Sequence, residues 1–323
     1  ILEKKLPECS VVWIVGPHPL GLLVYRVARR NAVQTFYHIR GNILNDVGTR
    51  YHGKEFWLAR AYAQFMHMAS KFLSRRMPTM VVGSELFDLY SPFSSNIFQI
   101  SPSLIKNSDI DLSERLFSTK EFGRRDVINL LFVGRLEPEK GLEFLFSAMR
   151  DFNDNSSVPC NLTIVGTAQK GSEGKEIIIR ERARQLGLSD SITWKGYVAY
   201  GNDLLNIYRN ADIFVLPSLA EGIPKVLYEA MATGVPIICS KVGGIPDVIT
   251  HSKNGLLISP GSSTELYSAI QELAGSPNLR ATLIQAGFET VREHTSEKAR
   301  DQIVRILEQC GIALPVTNEH QGN

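Results

Sequence analysis

The chain has 323 residues, 44% apolar and 21% charged, long enough for two packed domains and too apolar for a disordered or fibrous protein. Net charge is +2, yet residues 1–125 hold 17 Lys/Arg against 10 Asp/Glu while residues 126–323 hold 18 against 23, so the first part is solvated basic surface or meets an anionic partner such as a membrane or a phosphorylated acceptor. No apolar run reaches the roughly 18 residues that span a bilayer, the four cysteines form no CxxC pair, and a reducing cytoplasm is expected, with peripheral membrane contact through the basic part and no nucleic-acid partner.

Strand and helix signals alternate along the chain. In the first part strands are expected at residues 10–15, 33–39, 79–82 and 97–100, with helices at 20–30 and 56–75. Residues 101–126 are polar and weakly periodic and read as a linker. That gives domains at residues 1–122 and 123–300, followed by a terminal helix and tail over 301–323. The second part has expected strands at 127–133, 161–165, 192–194, 213–216 and 236–239. Helices are expected there at 141–150, 175–186, 203–209, 225–232 and 263–274. The strands are short and apolar throughout, as strands buried on both faces are, so the fold class is α/β with parallel sheets. The chain opens on Ile1 rather than Met, and a processed or trimmed product is expected.

Two segments carry chemistry. The first is Phe132-Val-Gly-Arg-Leu-Glu-Pro-Glu-Lys-Gly141. It follows an expected strand, at the sheet edge where open α/β sheets bind ligands. Gly134 lets backbone come close to a ligand. Arg135 offers a planar fork to phosphate oxygens, and Lys140 adds a compact point charge. The second is Glu221-Gly-Ile-Pro-Lys-Val-Leu-Tyr-Glu229. Pro224 suits the first position of a helix. Glu221 then lies in the loop before that helix and Glu229 in its second turn. The helix start presents N–H groups and a positive dipole end to an anion. A carboxylate can accept from two neighbouring hydroxyls, as a ribose presents them. Two cations for a diphosphate and two carboxylates for sugar hydroxyls make a candidate sugar-nucleotide site.

Other signals compete. Asp109-Ile-Asp111 spells a pattern that can hold a divalent cation, but it falls in the expected linker. The seven histidines show no metal-ligand spacing. No Walker loop and no Gly-x-Ser-x-Gly elbow is present.

The two segments, with Val215-Leu-Pro-Ser218 and Val242-Gly-Gly-Ile-Pro-Asp247, resemble in order and spacing the retaining GT-B glycosyltransferases of the large group 1 family, family 4 of the usual classification. The resemblance implies two Rossmann-like domains facing a cleft, with the N-terminal one truncated here. Residues 11–19 and 35–41 are similar to the fourth and fifth strands of that domain. It implies transfer of a sugar from a nucleoside diphosphate sugar to an acceptor hydroxyl with retention of configuration. It implies no cofactor beyond that donor, and no metal. Arg135 and Lys140 would bind the diphosphate, Glu229 the ribose, and Glu221 the transferred sugar. Gly222, Ile223 and Val226 would meet the sugar and the β-phosphate through backbone groups, and Val198 the base. Arg40 stands where many members place a histidine facing the sugar, with His38 two residues earlier on the same strand face. A sugar-nucleotide-binding protein without catalysis and a GT-B epimerase are the alternatives. The acceptor, whether saccharide, lipid-linked or small molecule, is left open.

Overall fold

The computed structural model describes residues 5, 8–44, 47, 54–101, 103–119, 126–169 and 171–312. The chain divides into two compact units: residues 1–102 with 297–323, and residues 103–296.

The first unit runs β1 (Val11–Gly16), α1 (Leu20–Arg30), β2 (Gln34–Ile39), α2 (Lys54–Ser74), β3 (Thr79–Val82), α3 (Ser84–Tyr90) and β4 (Ile97–Ile100). The strands pair in parallel in the order β1-β2-β3-β4. Right-handed crossovers that step the same way across a sheet place their helices on one face. That face buries Ile14, Tyr37, Ile39 and Val81 against Leu73, Leu86 and Tyr90. The other face needs a cover from elsewhere. It comes from the end of the chain: Phe36, Met80 and Ile100 pack against Ile306, Leu307 and Ile312 of the terminal helix Ser296–Gln309 and the residues that follow it. The segment expected as a separate terminal element therefore belongs with the first unit.

The second unit opens with α4 (Asn107–Ser118), where a linker is expected from the sequence. It is not a linker. Ile105 and Ile110 enter the second core, and the Tyr200 hydroxyl donates to Leu104 O at 2.8 Å. Arg292 binds Asp111 at 2.9 Å and Glu114 at 2.6 Å. Asp109 accepts from the Lys106 N–H at 3.0 Å and caps the helix. The DxD carboxylates thus cap and brace a helix, and residues 103–119 fall in the second unit rather than the first.

The remaining elements are β5 (Ile128–Val133), α5 (Leu142–Asn155), β6 (Cys160–Val165), α6 (Glu173–Gln185), β7 (Ile192–Gly196), α7 (Asn202–Arg209), β8 (Ile213–Leu216), α8 (Lys225–Ala232), β9 (Ile237–Ser240), β10 (Leu256–Ile258), α9 (Ser263–Gly275) and α10 (Pro277–Arg292); the terminal helix is α11. Their six-stranded sheet is parallel in the order β10-β9-β8-β5-β6-β7. This is the doubly wound order, whose sense reverses between β5 and β8. Every residue of β8 and β9 is buried, as central strands covered on both faces require. Both units are Rossmann-like α/β layers. α3, β10 and α10 were not expected from the sequence.

Candidate active site

The two chemical segments leave the sheet at its switch point: residues 134–141 follow β5, and residues 217–224 follow β8. Strand reversal there parts the helices and leaves a crevice at the carboxyl ends. Backbone ties hold the two loops together. The Leu219 N–H donates to Glu139 O at 2.8 Å. Gly141 has φ +68°, and a Cβ on it would collide with Pro217 O. Only glycine permits that close approach in a left-handed conformation. Gly243 likewise has φ +51° and no room for a Cβ beside Glu221 O, and the Gly244 N–H donates to Gly222 O at 3.1 Å. The Val242–Asp247 segment therefore clamps the loop that carries Glu221.

Inside the crevice Lys140 Nζ lies 2.5 Å from Glu221 Oε1, with side-chain exposures of 12% and 10%. Ser218 Oγ, wholly buried, donates to the same oxygen at 2.7 Å. Lys140, expected on phosphate, and Glu221, expected on sugar, thus hold each other. The ion pair keeps two poorly hydrated charges compensated.

Glu229 sits one helical turn into α8 and is 7% exposed. The Tyr208 hydroxyl of α7 donates to its Oε2 at 2.9 Å. Burial pushes the Glu229 carboxyl above its ordinary range, against the Tyr208 hydrogen bond and the Lys225 charge. Burial and the facing carboxylate push the Tyr208 hydroxyl well up as well, so it stays a proton donor. Helix α8 starts at Lys225, and Pro224 is its N-cap rather than its first residue. Its position at the helix mouth is otherwise as expected.

Arg135 is exposed and donates to Gln169 Oε1 at 3.2 Å. Behind it, buried Glu137 accepts from Lys175 Nζ at 2.6 Å and from the Gln169 N–H at 3.3 Å. Burial raises the Glu137 carboxyl, but these hydrogen bonds and the charges of Lys175 and Arg135 prevail and hold it low. Gly134 follows β5, its N–H on Val165 O at 3.0 Å. Val198 follows β7 and packs partly on the core. Gly222, Ile223 and Val226 line the start of α8, Gly222 exposed and the other two half-buried.

The structure therefore brings together Gly134, Arg135, Lys140, Glu221, Gly222, Ile223, Val226 and Glu229 on one sheet edge. Arg40 belongs to the first unit, exposed after β2, its N–H on Gly16 O at 3.1 Å. His38, two residues earlier, is 4% exposed and stacks on Trp13 at 5.5 Å. Among the described residues its ring nitrogens find no hydrogen-bond partner. Burial, then the Arg40 charge, lower its pKa to about 4.

Sequence reasoning gave Ser218 no role of its own, although it stands three residues before Glu221. It missed Tyr208 and Glu137 altogether, since their partners lie 21 and 38 residues away.

Among the described residues no group of three or more His, Cys, Asp or Glu gathers as a metal site. No helix among them is long and apolar enough to cross a membrane. The sequence model described as glycosyl transferases group 1 matches residues 117–290, more than half of the chain. The chain belongs to that family. Its relatives include an uncharacterised glycosyltransferase of Methanocaldococcus jannaschii, 29% identical over 58% of this chain and 47% of its own length. A D-inositol 3-phosphate glycosyltransferase of Segniliparus rotundus is 29% identical over 54% of this chain and 38% of its own. The chain spans about half the length of the curated relatives it matches. Among solved structures, Anabaena HepE in complex with UDP superposes with TM-score 0.74 at 19% identity, covering 95% of this chain and 81% of that one. Sucrose-phosphate synthase of Thermosynechococcus elongatus gives TM-score 0.71 at 22% identity, over 95% and 78%. This group 1 chain has the fold of those structures, GT-B with its two Rossmann-like domains.

Proposed function

We propose that the protein transfers a sugar from a nucleoside diphosphate sugar to an acceptor hydroxyl, with retention of anomeric configuration and without a metal. The observation that carries this reading is the Lys140–Glu221–Ser218 cluster set beside Glu229 at the switch point of the second sheet. Lys140 swings from Glu221 to the donor diphosphate, joined by Arg135 and the N–H groups at the start of α8. Glu221, released, turns to the hydroxyls of the transferred sugar. Glu229 keeps Oε2 on Tyr208 and offers Oε1 to the ribose. Backbone at Gly134, Gly222, Ile223 and Val226 receives the sugar and β-phosphate, and Val198 the base. As the glycosidic bond breaks, negative charge grows on the diphosphate and positive charge on the sugar. Fixed cations and helix N–H groups oriented beforehand lower that barrier. The leaving phosphate takes the proton of the attacking hydroxyl on the same face, and Arg40 is left for the acceptor side. UDP, bound in the HepE structure, is the first nucleotide to test. The basic first part supports peripheral attachment to an anionic membrane and hence a lipid-linked acceptor.

Calorimetry with UDP tests the donor assignment. Charge-assisted hydrogen bonds contribute roughly 1.5–3 kcal/mol each. Arg135→Ala and Lys140→Ala should therefore each weaken binding about tenfold or more. Unchanged affinity in both removes the diphosphate from this edge. Turnover should survive EDTA; activity that vanishes with chelator and returns with Mn²⁺ would refute the metal-free reading. Release of the nucleoside diphosphate that never depends on an acceptor would leave a hydrolase, and binding without release in the presence of any acceptor would leave a binding protein.

A further inference from the structure

Helix α2 is apolar on both sides. Its inner face buries Ala63, Met66, Ala69 and Leu73. Its outer face shows Trp57 at 69% exposure, Leu58 at 78%, Phe65 at 54% and Met68 at 69%, with Tyr62 and Phe72 also exposed. A helix apolar all round is covered on its outer side or lies in lipid. Helix α1 extends the surface with exposed Leu20 and Leu23, and its Tyr25 meets Phe72 edge-on at 6.4 Å.

The charges around this stripe are mainly of one sign. Residues 9–84 contain ten Lys/Arg and two Asp/Glu. Exposed Arg26, Arg29 and Arg30 stand on α1, Arg60 on α2, and Arg75 and Arg76 just past its end. Arg76 lies over the Phe72 ring at 3.6 Å, and Lys71 over Phe93 at 4.1 Å. Aromatic rings bordered by stacked cations suit the boundary between acyl chains and phosphate headgroups. At the N-terminal half of α2 a cavity of about 490 Å³, lined by Leu44, Val47, Phe56, Arg60, His67 and Met68, gives the surface a concave end.

We infer that the outer face of α2, with the adjoining face of α1, docks on an anionic lipid surface. The aromatic and aliphatic stripe enters the headgroup region, and the arginines hold lipid phosphates. The inference rests on the peripheral-attachment reading and assigns its surface. Apolar insertion and cation attraction add, and each cation near an anionic bilayer contributes measurably.

Vesicle co-sedimentation of the whole chain tests it, with phosphatidylcholine vesicles against vesicles that also contain phosphatidylglycerol. The chain should bind the anionic vesicles, leave the neutral ones, and lose affinity as salt rises. The pair Leu58→Gln with Phe65→Gln, and separately Arg75→Glu with Arg76→Glu, should each lower partitioning about tenfold or more. Arg182→Glu with Arg184→Glu on α6 should not. All these positions are solvent-exposed, and an unchanged urea midpoint certifies each fold. No binding to anionic vesicles at low salt overturns the attachment reading itself. Binding that survives both α2 pairs overturns this surface while attachment stands. A dimer in lipid-free light scattering that the α2 pairs dissolve makes the stripe a protein interface and overturns the inference.

Discussion

The two units are built alike, from parallel strands with helical crossovers, and they end differently. In the second, polar groups at the sheet edge find partners within the unit: Lys140 with Glu221, Ser218 with Glu221, Tyr208 with Glu229, Lys175 with Glu137. In the first, the buried His38 ring has no hydrogen-bond partner among the described residues, and Trp13, Val15 and the outer face of α2 are exposed. The second unit ties its site together with its own residues, although among the described residues its buried Ser240 Oγ also has no hydrogen-bond partner. The first presents surface that something else must meet. The contrast is between a sheet edge whose charged groups are paired and a helix whose outer face is apolar and exposed.

Substitutions break or sharpen this contrast. The largest effect is expected at Gly141. Gly141→Ala puts a side chain at φ +68° against Pro217 O, and the two site loops must separate. Strain and lost packing should cost about 3 kcal/mol, read as a lowered urea midpoint, with UDP binding falling in parallel. A variant of wild-type stability would mean that the loops are not tied as described.

Next come the two carboxylates. Glu221→Ala should lower kcat on the order of a hundredfold, because sugar contacts tighten as the anomeric carbon gains charge. It also frees Lys140, so affinity for UDP alone should hold or rise. Glu229→Ala should chiefly raise the donor KM. Steady-state kinetics and calorimetry separate these outcomes, and the reverse pattern would exchange the two roles.

Tyr208→Phe should cost about tenfold in donor KM through loss of one hydrogen bond to a carboxylate. A positioning role makes a further demand. Wild type should discriminate strongly between UDP and 2′-deoxy-UDP, and Tyr208→Phe should blunt that ratio. Equal discrimination in both would reduce Tyr208 to packing.

The smallest effect tests the first unit. His38 is buried neutral with a pKa of about 4, against 6.5 when unfolded. The unfolded chain therefore binds more protons between those values, and stability falls as pH drops through that window. Between about pH 6.5 and 5.5 the loss should be about 1 kcal/mol, seen in denaturation curves and absent in His38→Phe. An acid response untouched by His38→Phe would assign it to other groups.

Much of this architecture can be read from the chain. Strands at 79–82, 97–100 and 213–216 and helices at 20–30 and 225–232 fall where the structure has them, because short β-branched or apolar runs bounded by Gly, Pro or Asn give clear local signals. The site is legible for a related reason: its residues lie in consecutive runs at strand ends. What escaped depends on distant partners. Helix α4 carries few apolar residues, and Ile110 counts only once the second core receives it. Tyr208 and Glu137 act through bonds that no local pattern encodes.

The terminal helix has a consequence for biosynthesis. The second unit is complete once Ser296 has been made, whereas the first sheet waits for Ile306, Leu307 and Ile312 to close its second face. As the chain leaves the ribosome, the half made first finishes folding last. During that interval Phe36, Met80 and Ile100 are open to water and to neighbouring chains, the kind of exposure that draws chaperones. A premature stop codon between Ser296 and Ile306 would make the exposure permanent, leaving an intact second unit attached to an aggregation-prone first one.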